Sequence, residues 1–153
     1  MNEPKADLSL ICRVHTRLCA LPLAHVVETM RPLPVEAVAG APHFVRGLAV
    51  IRGMPVPVVD AAHLLGELAA PANRFVTVIA GERRVALAVD SVLGVREVPT
   101  DSLHQLPPLL QEAGGDVVAA IGLLDAELLL VLSSTRLLPD DSWAGNAALG
   151  AIA

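Results

Sequence analysis

Aromatic residues are nearly missing from this chain of 153 residues, which has two Phe, one Trp and no Tyr. Because 54% of the residues are nonetheless hydrophobic, the core must consist of Val, Leu, Ile and Ala. We expect no nucleic-acid partner, because few rings are available for base stacking. A formal net charge of −5 also gives no basic stripe for phosphates.

Cysteine is equally scarce, with Cys12 and Cys19 as the only two thiols. They form no C-x-x-C pair, and the five His residues follow no metal-binding spacing. We therefore expect free thiols of the kind found in a reducing cytosol. We predict no metal site and no cofactor, since phosphate-binding glycine motifs are missing as well.

The chain also lacks an unbroken apolar run that is long enough to cross a membrane. The longest candidate, residues 117–132, contains Asp125 and Glu127 and is shorter than the ~20 residues of a spanning helix. Glu3 and Asp7 precede the first apolar residues, unlike a signal peptide. We expect a cytoplasmic protein without direct membrane insertion.

What the chain does contain is a series of short apolar segments separated by Gly, Pro and paired polar residues. About ten strands, with turns every ~8–12 residues, predict an all-β barrel or sandwich. Predicted hairpins join 8–14 to 18–23, 74–80 to 84–90, and 117–124 to 127–132. Short helical turns are predicted at 63–66 and 133–138, and an amphipathic helix at 108–113. A similarity of residues 58–66 to 88–95 suggests two related halves.

Catalytic groupings are weak. Asp60 and Asp90 each end an apolar strand, as the paired carboxylates of a hydrolase would. Aspartic proteases place Gly two residues after the Asp, whereas Ala62 and Val92 stand there in this chain. Aspartates at strand ends commonly cap the following turn. We predict that both Asp residues have this role and that the protein is not an enzyme.

The most informative stretch is FVRGLAVIRGMPVPVVD, residues 44–60, in which two Arg-Gly pairs interrupt an apolar run. Gly47 and Gly53 lack a Cβ, so each permits a bulge or the close approach of another backbone. One interpretation is that Arg52, at the turn, projects its planar guanidinium group towards a partner. The alternative is that Gly53 only makes the turn and Arg52 is solvated. The two prolines of this stretch predict an edge strand.

This pattern strongly resembles the CheW family, the adaptors of bacterial chemosensory arrays. The resemblance extends along nearly the whole chain, through residues 8–31, 83–98, 106–110 and 121–138. It implies an all-β fold of two five-stranded SH3-like barrels packed on a shared aliphatic core, with short helical turns. Residues 1–139 would form a single domain of two interleaved barrel subdomains, and 140–153 a mobile tail.

The resemblance also implies a function. The protein would be a scaffold at receptor arrays that couples a chemoreceptor's cytoplasmic hairpin to the regulatory domain of a CheA-type histidine kinase. A second patch, for the kinase, is expected at the end of the opposite barrel. The implied partner-binding residues are Val26, Glu28, Gly47, Arg52, Gly53 and Val89.

Three places depart from the family pattern. Val50 replaces a common Asn, Asp-Ala-Ala at 60–62 replaces Asp-Leu-Arg, and Ser133 replaces a frequent Asp. They leave open which receptor and kinase are served. The alternatives are a CheW-like module that serves a different kinase or an auxiliary pathway, and a small hydrolase that uses Asp60 and Asp90.

Overall fold

The computed structural model describes residues 6–68, 71–107 and 117–137. Within these ranges the chain forms ten strands, one short helix and three 3₁₀ turns. The strands are β1 (Ala6–Val14), β2 (Arg17–Pro22), β3 (Val26–Met30), β4 (Val45–Ile51), β5 (Met54–Asp60), β6 (Arg74–Ala80), β7 (Arg83–Val89), β8 (Ser91–Pro99), β9 (Val118–Leu124) and β10 (Glu127–Leu132). The helix is α1 (Ala61–Leu64), and the 3₁₀ turns are Leu23–His25, Thr100–Ser102 and Ser134–Arg136.

The all-β prediction with its three hairpins is confirmed. The helix predicted at 108–113 and the tail predicted at 140–153 lie outside the described residues.

The strands form two five-stranded sheets with the same spatial arrangement, although the chain passes through the strands in a different order. Their orders are β8-β1-β2-β10-β9, called barrel I below, and β3-β6-β7-β5-β4, called barrel II. In each, a tight hairpin has an antiparallel strand on one side and a parallel strand from a second hairpin on the other. Two related halves therefore exist, but β5 corresponds to β10. The similarity of 58–66 to 88–95 indicated the wrong pair.

One short bridge joins the two edges of each sheet. Glu36, which follows β3, exchanges two backbone hydrogen bonds of 2.8 Å with Leu48 of β4. His104, which follows β8, does the same with Ile121 of β9. The long strands alone leave both sheets open, so each is a partly open barrel of the SH3-like kind. This agrees with the architecture that the resemblance implied.

Three aliphatic clusters hold the barrels together. One is internal to barrel I, one is internal to barrel II, and the largest contains residues of both sheets. Strand β7 shows how the sequence divides its faces. Val85, Leu87 and Val89 face the shared cluster, whereas Ala86 and Ala88 face the interior of barrel II. The shared aliphatic core is thus confirmed.

The two prolines of β5 do not lie on an edge strand as predicted. Strand β4 is the edge, and β5 lies between β4 and β7. Pro55 and Pro57 oppose Val50 and Leu48 of β4, at alternate positions that need no ladder hydrogen bond. The parallel pairing of β5 with β7 begins only at Val58. An inner strand accommodates both prolines because its second neighbour joins after them.

Candidate partner-binding site

The second Arg-Gly pair forms the turn between β4 and β5. Arg52 and Gly53 have φ angles of 54° and 76°, as in the two-residue type I′ turn that matches the twist of a hairpin. A Cβ on Gly53 would meet no atom within 4 Å. Gly53 therefore makes the turn, and Arg52 stands at its tip with 72% of its side chain exposed.

Arg52 is not simply solvated, because it binds Glu28 through two hydrogen bonds. Its Nε donates to Oε2 at 3.2 Å and its Nη2 to Oε1 at 2.8 Å. These bonds lower the pKa of Glu28 and raise that of Arg52. Glu28 lies on β3, so the pair spans the two edges of barrel II. The structure thus brings Glu28, Arg52 and Gly53 together.

Gly47 lies where β4 bulges against β5, between Val45 and Gly47. Its φ is 145°, and a Cβ there would lie 1.9 Å from the carbonyl oxygen of Glu36. Both the bulge and the close backbone approach predicted for Gly47 are present. The approaching backbone belongs to the chain itself. Gly47 therefore shapes the edge of barrel II from a buried position.

Two of the six predicted residues are valines, and their side chains differ in exposure to solvent. Val26 is half-buried on β3, on the same strand as Glu28, and packs against the shared core. Val89 is only 1% exposed and belongs to that core. The prediction that Val89 contacts a partner is corrected, since its side chain has no surface to offer. Two exposed apolar residues that the prediction did not include, Val50 (69% exposed) and Met54 (62% exposed), lie close to the turn.

The first Arg-Gly pair has an internal role that the sequence analysis missed. Arg46 donates from Nε and Nη2 to Oδ2 of Asp60, at 2.9 and 2.6 Å. The other carboxylate oxygen accepts the backbone N–H of His63 at 3.0 Å and so caps α1. Asp60 thus has the predicted capping role, with both oxygens engaged. Regular register counted from the turn at 52–53 would set Arg46 opposite Val59, so the bulge between Val45 and Gly47 kept register alone from predicting this pair.

Barrel I ends in a similar ion pair at its β9–β10 turn, called the tip of barrel I below, but the positions of the acidic and basic residues are exchanged. Asp125 and Ala126 form the β9–β10 turn with φ angles of 52° and 65°. Here the turn carries the acid, and Arg96 of the edge strand β8 donates to it at 3.2 Å. Arg13 pairs with Glu127 beside it and lowers the pKa of that carboxyl. Leu93, 55% exposed, lies in the same region.

Within the described parts of the chain, no helix is long and apolar enough to cross a membrane. The same ranges contain no cluster of three or more His, Cys, Asp or Glu that could hold a metal ion.

Comparison with known proteins relates this architecture to a family. The sequence pattern of the CheW-like domain family matches residues 9–142. The chain belongs to the CheW-like domain family. Membership makes it a scaffold or adaptor of the chemosensory type, as the resemblance implied.

Three curated relatives of this CheW-like chain come from different bacteria. Protein PilI of Pseudomonas aeruginosa is 30% identical over 63% of this chain and 57% of its own length. Protein FrzA of Myxococcus xanthus is 29% identical over 89% of this chain and 88% of its own. Chemotaxis protein CheW of Klebsiella aerogenes is 23% identical over 72% and 68%. The chain thus spans a little over half of PilI.

A solved structure has the same fold. The scaffolding protein TtCheW of Thermoanaerobacter tengcongensis superposes with a TM-score of 0.75 at 20% identity. The match covers 84% of this chain and 90% of that one.

Proposed function

We propose that this CheW-like chain couples the cytoplasmic hairpin of a chemoreceptor to the regulatory domain of a CheA-type histidine kinase, in the cytoplasm at receptor arrays. The observation that carries the proposal is the exposed Arg52–Glu28 pair at the β4–β5 turn, called the tip of barrel II below, with Val50 and Met54 close to it. Residues 1–139 would act as one unit, because the shared core joins both barrels.

The tip of barrel II is the receptor surface in this proposal. Arginine is enriched among the residues that dominate protein interfaces, where apolar neighbours exclude water around it. The pairing with Glu28 fixes the fork of Arg52, so less side-chain entropy is lost on binding. Val26 adds apolar surface on the same strand as Glu28. Gly47 contributes indirectly, because it lets the segment at Glu36 lie against β4.

The tip of barrel I is the kinase surface in this proposal. It presents the exposed Leu93 together with the Arg96–Asp125 and Arg13–Glu127 pairs. The reversed charge order distinguishes it from the receptor surface. Two ends with different charge patterns allow two different partners to be held at the same time, as a scaffold requires.

Two matched variants test the proposal. Arg52→Ala should weaken binding of a receptor hairpin fragment at least about tenfold and leave binding of the kinase regulatory domain unchanged. Arg96→Ala, which removes the corresponding ion pair of barrel I, should give the opposite pattern. Both variants should keep the fold, since surface ion pairs contribute about 0–1 kcal/mol. Unchanged receptor binding by folded Arg52→Ala would show that the receptor surface lies elsewhere.

A second candidate function is that of a CheW-like module for a different kinase or an auxiliary pathway. The exposed Val50, where the family commonly has Asn, favours this alternative because it changes the surface beside Arg52. Co-purification with each CheA-type kinase of the same cell distinguishes the candidates. Selective capture of an auxiliary kinase would support the second.

A further inference from the structure

Cys12 of β1 and Cys19 of β2 lie directly opposite each other in the first hairpin of barrel I. Both side chains belong to the shared aliphatic core, so they are on the same face of the sheet, as directly paired residues are. Both thiols are free. The receptor and kinase surfaces proposed above include neither of them, so the adaptor function makes no use of this pair.

The register of the hairpin gives the pair the spacing of a disulfide. Directly opposed residues of antiparallel strands have Cα atoms about 4.5–5.5 Å apart, and disulfides join residues whose Cα atoms are about 4.4–6.8 Å apart. The pairing of β1 with β2 runs without a shift from Ser9 to Val14, so no bulge displaces the two residues relative to each other. The thiols also interact, since burial and then the neighbouring Cys19 raise the pKa of Cys12.

Access to the pair is closed in the folded protein, where Cys12 is 1% exposed and Cys19 is 0% exposed. Burial also raises the pKa of each thiol to about 12, and the reactive form of cysteine is the thiolate. Strand β8 pairs with β1 at Cys12, and β10 pairs with β2 at Cys19, so both sides of the hairpin are covered by strands from later in the sequence. An oxidant therefore reaches the pair only in a chain that has not finished folding or has unfolded.

We propose that Cys12 and Cys19 form a redox modification site, which closes to a disulfide when the chain folds in the presence of a small disulfide such as oxidised glutathione. One thiolate of the unfolded chain attacks a sulfur of the small disulfide, which gives a mixed disulfide and releases one small thiol. The second protein thiolate attacks the protein sulfur of this mixed disulfide, forms the Cys12–Cys19 bond and releases the second small thiol. Two protein thiols are thus oxidised while one small disulfide is reduced to two thiols.

The disulfide would make the pairing of β1 with β2 independent of the other strands of barrel I. It would cross-link the hairpin before β8 and β10 have joined it, and such a cross-link stabilises a protein by restricting its unfolded chain. A protein that has folded under reducing conditions would stay reduced in the same oxidant, because its thiols are already buried. The redox conditions during folding would decide which form is present. This site does not depend on the adaptor function proposed above.

Refolding of the full chain from urea in a glutathione redox buffer tests the proposal, with native protein in the same buffer as the comparison. Mass spectrometry should show the loss of two hydrogen atoms from the refolded protein and no change in the native protein over the same time. The ratio of reduced to oxidised glutathione at which half of the chains are oxidised measures how well each state accommodates the disulfide. Because a disulfide with native geometry stabilises the fold, the refolded protein should favour the disulfide at least about tenfold more than the chain kept in urea.

The matched control moves one thiol to the other face of β2. In Leu18→Cys combined with Cys19→Ala, the two cysteines are separated by almost the same length of chain, but position 18 faces the interior of barrel I. Refolding should then favour the disulfide no more than urea does. Three results for the parent would overturn the proposal: a disulfide no more favoured after refolding than in urea, oxidised chains that fail to regain the circular dichroism spectrum of the native protein, or oxidation of the native protein as fast as that of the unfolded chain. Equal preference for the disulfide in parent and control would overturn it as well.

Discussion

Replacing Gly47 with alanine should destabilise the protein far more than replacing Gly53, the other glycine of the β4–β5 hairpin. The new Cβ would lie 1.9 Å from the carbonyl oxygen of Glu36 and 2.9 Å from Cα of Ala37. Backbone atoms cannot rotate away as a side chain can. The segment that contains Glu36 must therefore move off β4.

The cost of Gly47→Ala can be estimated from two contributions. A φ of 145° is a region that L-residues rarely adopt, which costs about 1–3 kcal/mol. Moving Glu36 breaks its two hydrogen bonds with Leu48, at a net cost of about 0.5–1.5 kcal/mol each. The sum is about 2–6 kcal/mol, a large part of the ~5–15 kcal/mol that stabilises a typical domain.

Urea unfolding followed by circular dichroism measures this loss, with Gly53→Ala as the matched control. Gly53 also has a positive φ, 76°, but a Cβ there meets no atom within 4 Å. Only backbone strain of about 1–2 kcal/mol should then appear. If Gly47→Ala loses no more stability than Gly53→Ala, the close approach of Glu36 is not a constraint on the fold and the reasoning fails.

Two further predictions concern buried groups. Asp60→Ala should reduce the free energy of unfolding by about 2–4 kcal/mol, because it removes the cap of α1 together with the buried carboxylate that binds Arg46. Asp125→Ala, whose ion pair is exposed, should cost less than about 1 kcal/mol, and similar losses in the two variants would contradict this account. Cys12 and Cys19 are free and buried, and burial raises the pKa of each thiol to about 12. At pH 8 both remain protonated, so a thiol reagent should label them only as fast as the protein unfolds, whereas rapid labelling of the native protein would show that β1 and β2 open locally.

The local structure was predictable because it is encoded by neighbouring residues. Two short apolar segments on either side of Gly81-Glu82 give the β6–β7 hairpin, and Arg52-Gly53 gives the β4–β5 turn. The order of the strands in each sheet was less predictable, because it depends on contacts between segments that are distant in the sequence. The parallel pairing of β2 with β10 leaves no periodic signal in either strand. The edge position expected for β5 was wrong for the same reason.

The candidate site was predictable in part. Arg52 and Glu28 could be named by family resemblance, but their mutual pairing depends on how barrel II closes. Val89 was misplaced because both faces of β7 are buried, so alternation could not identify an accessible face. Arg46 was overlooked because an Arg-Gly pair in a conspicuous motif suggested a surface role for both members. Whether such a residue is exposed, and which residue it pairs with, can be decided only from the three-dimensional structure.

In the sequence, the segment that forms barrel II lies between the segments that form barrel I, and this order has a consequence for biosynthesis. Barrel II uses the consecutive segment Val26–Val89, so all its strands have been translated before β8 is complete. The β1–β2 hairpin is translated first, but its neighbours β8 and β10 come later in the sequence, as does β9, which pairs with β10. On the ribosome, barrel II can form while barrel I consists only of the β1–β2 hairpin and still lacks β8, β9 and β10. A chain terminated before β9 would therefore keep a complete barrel II beside an unpaired, aliphatic β2 edge, the kind of surface that aggregates or captures the β9–β10 hairpin of another molecule.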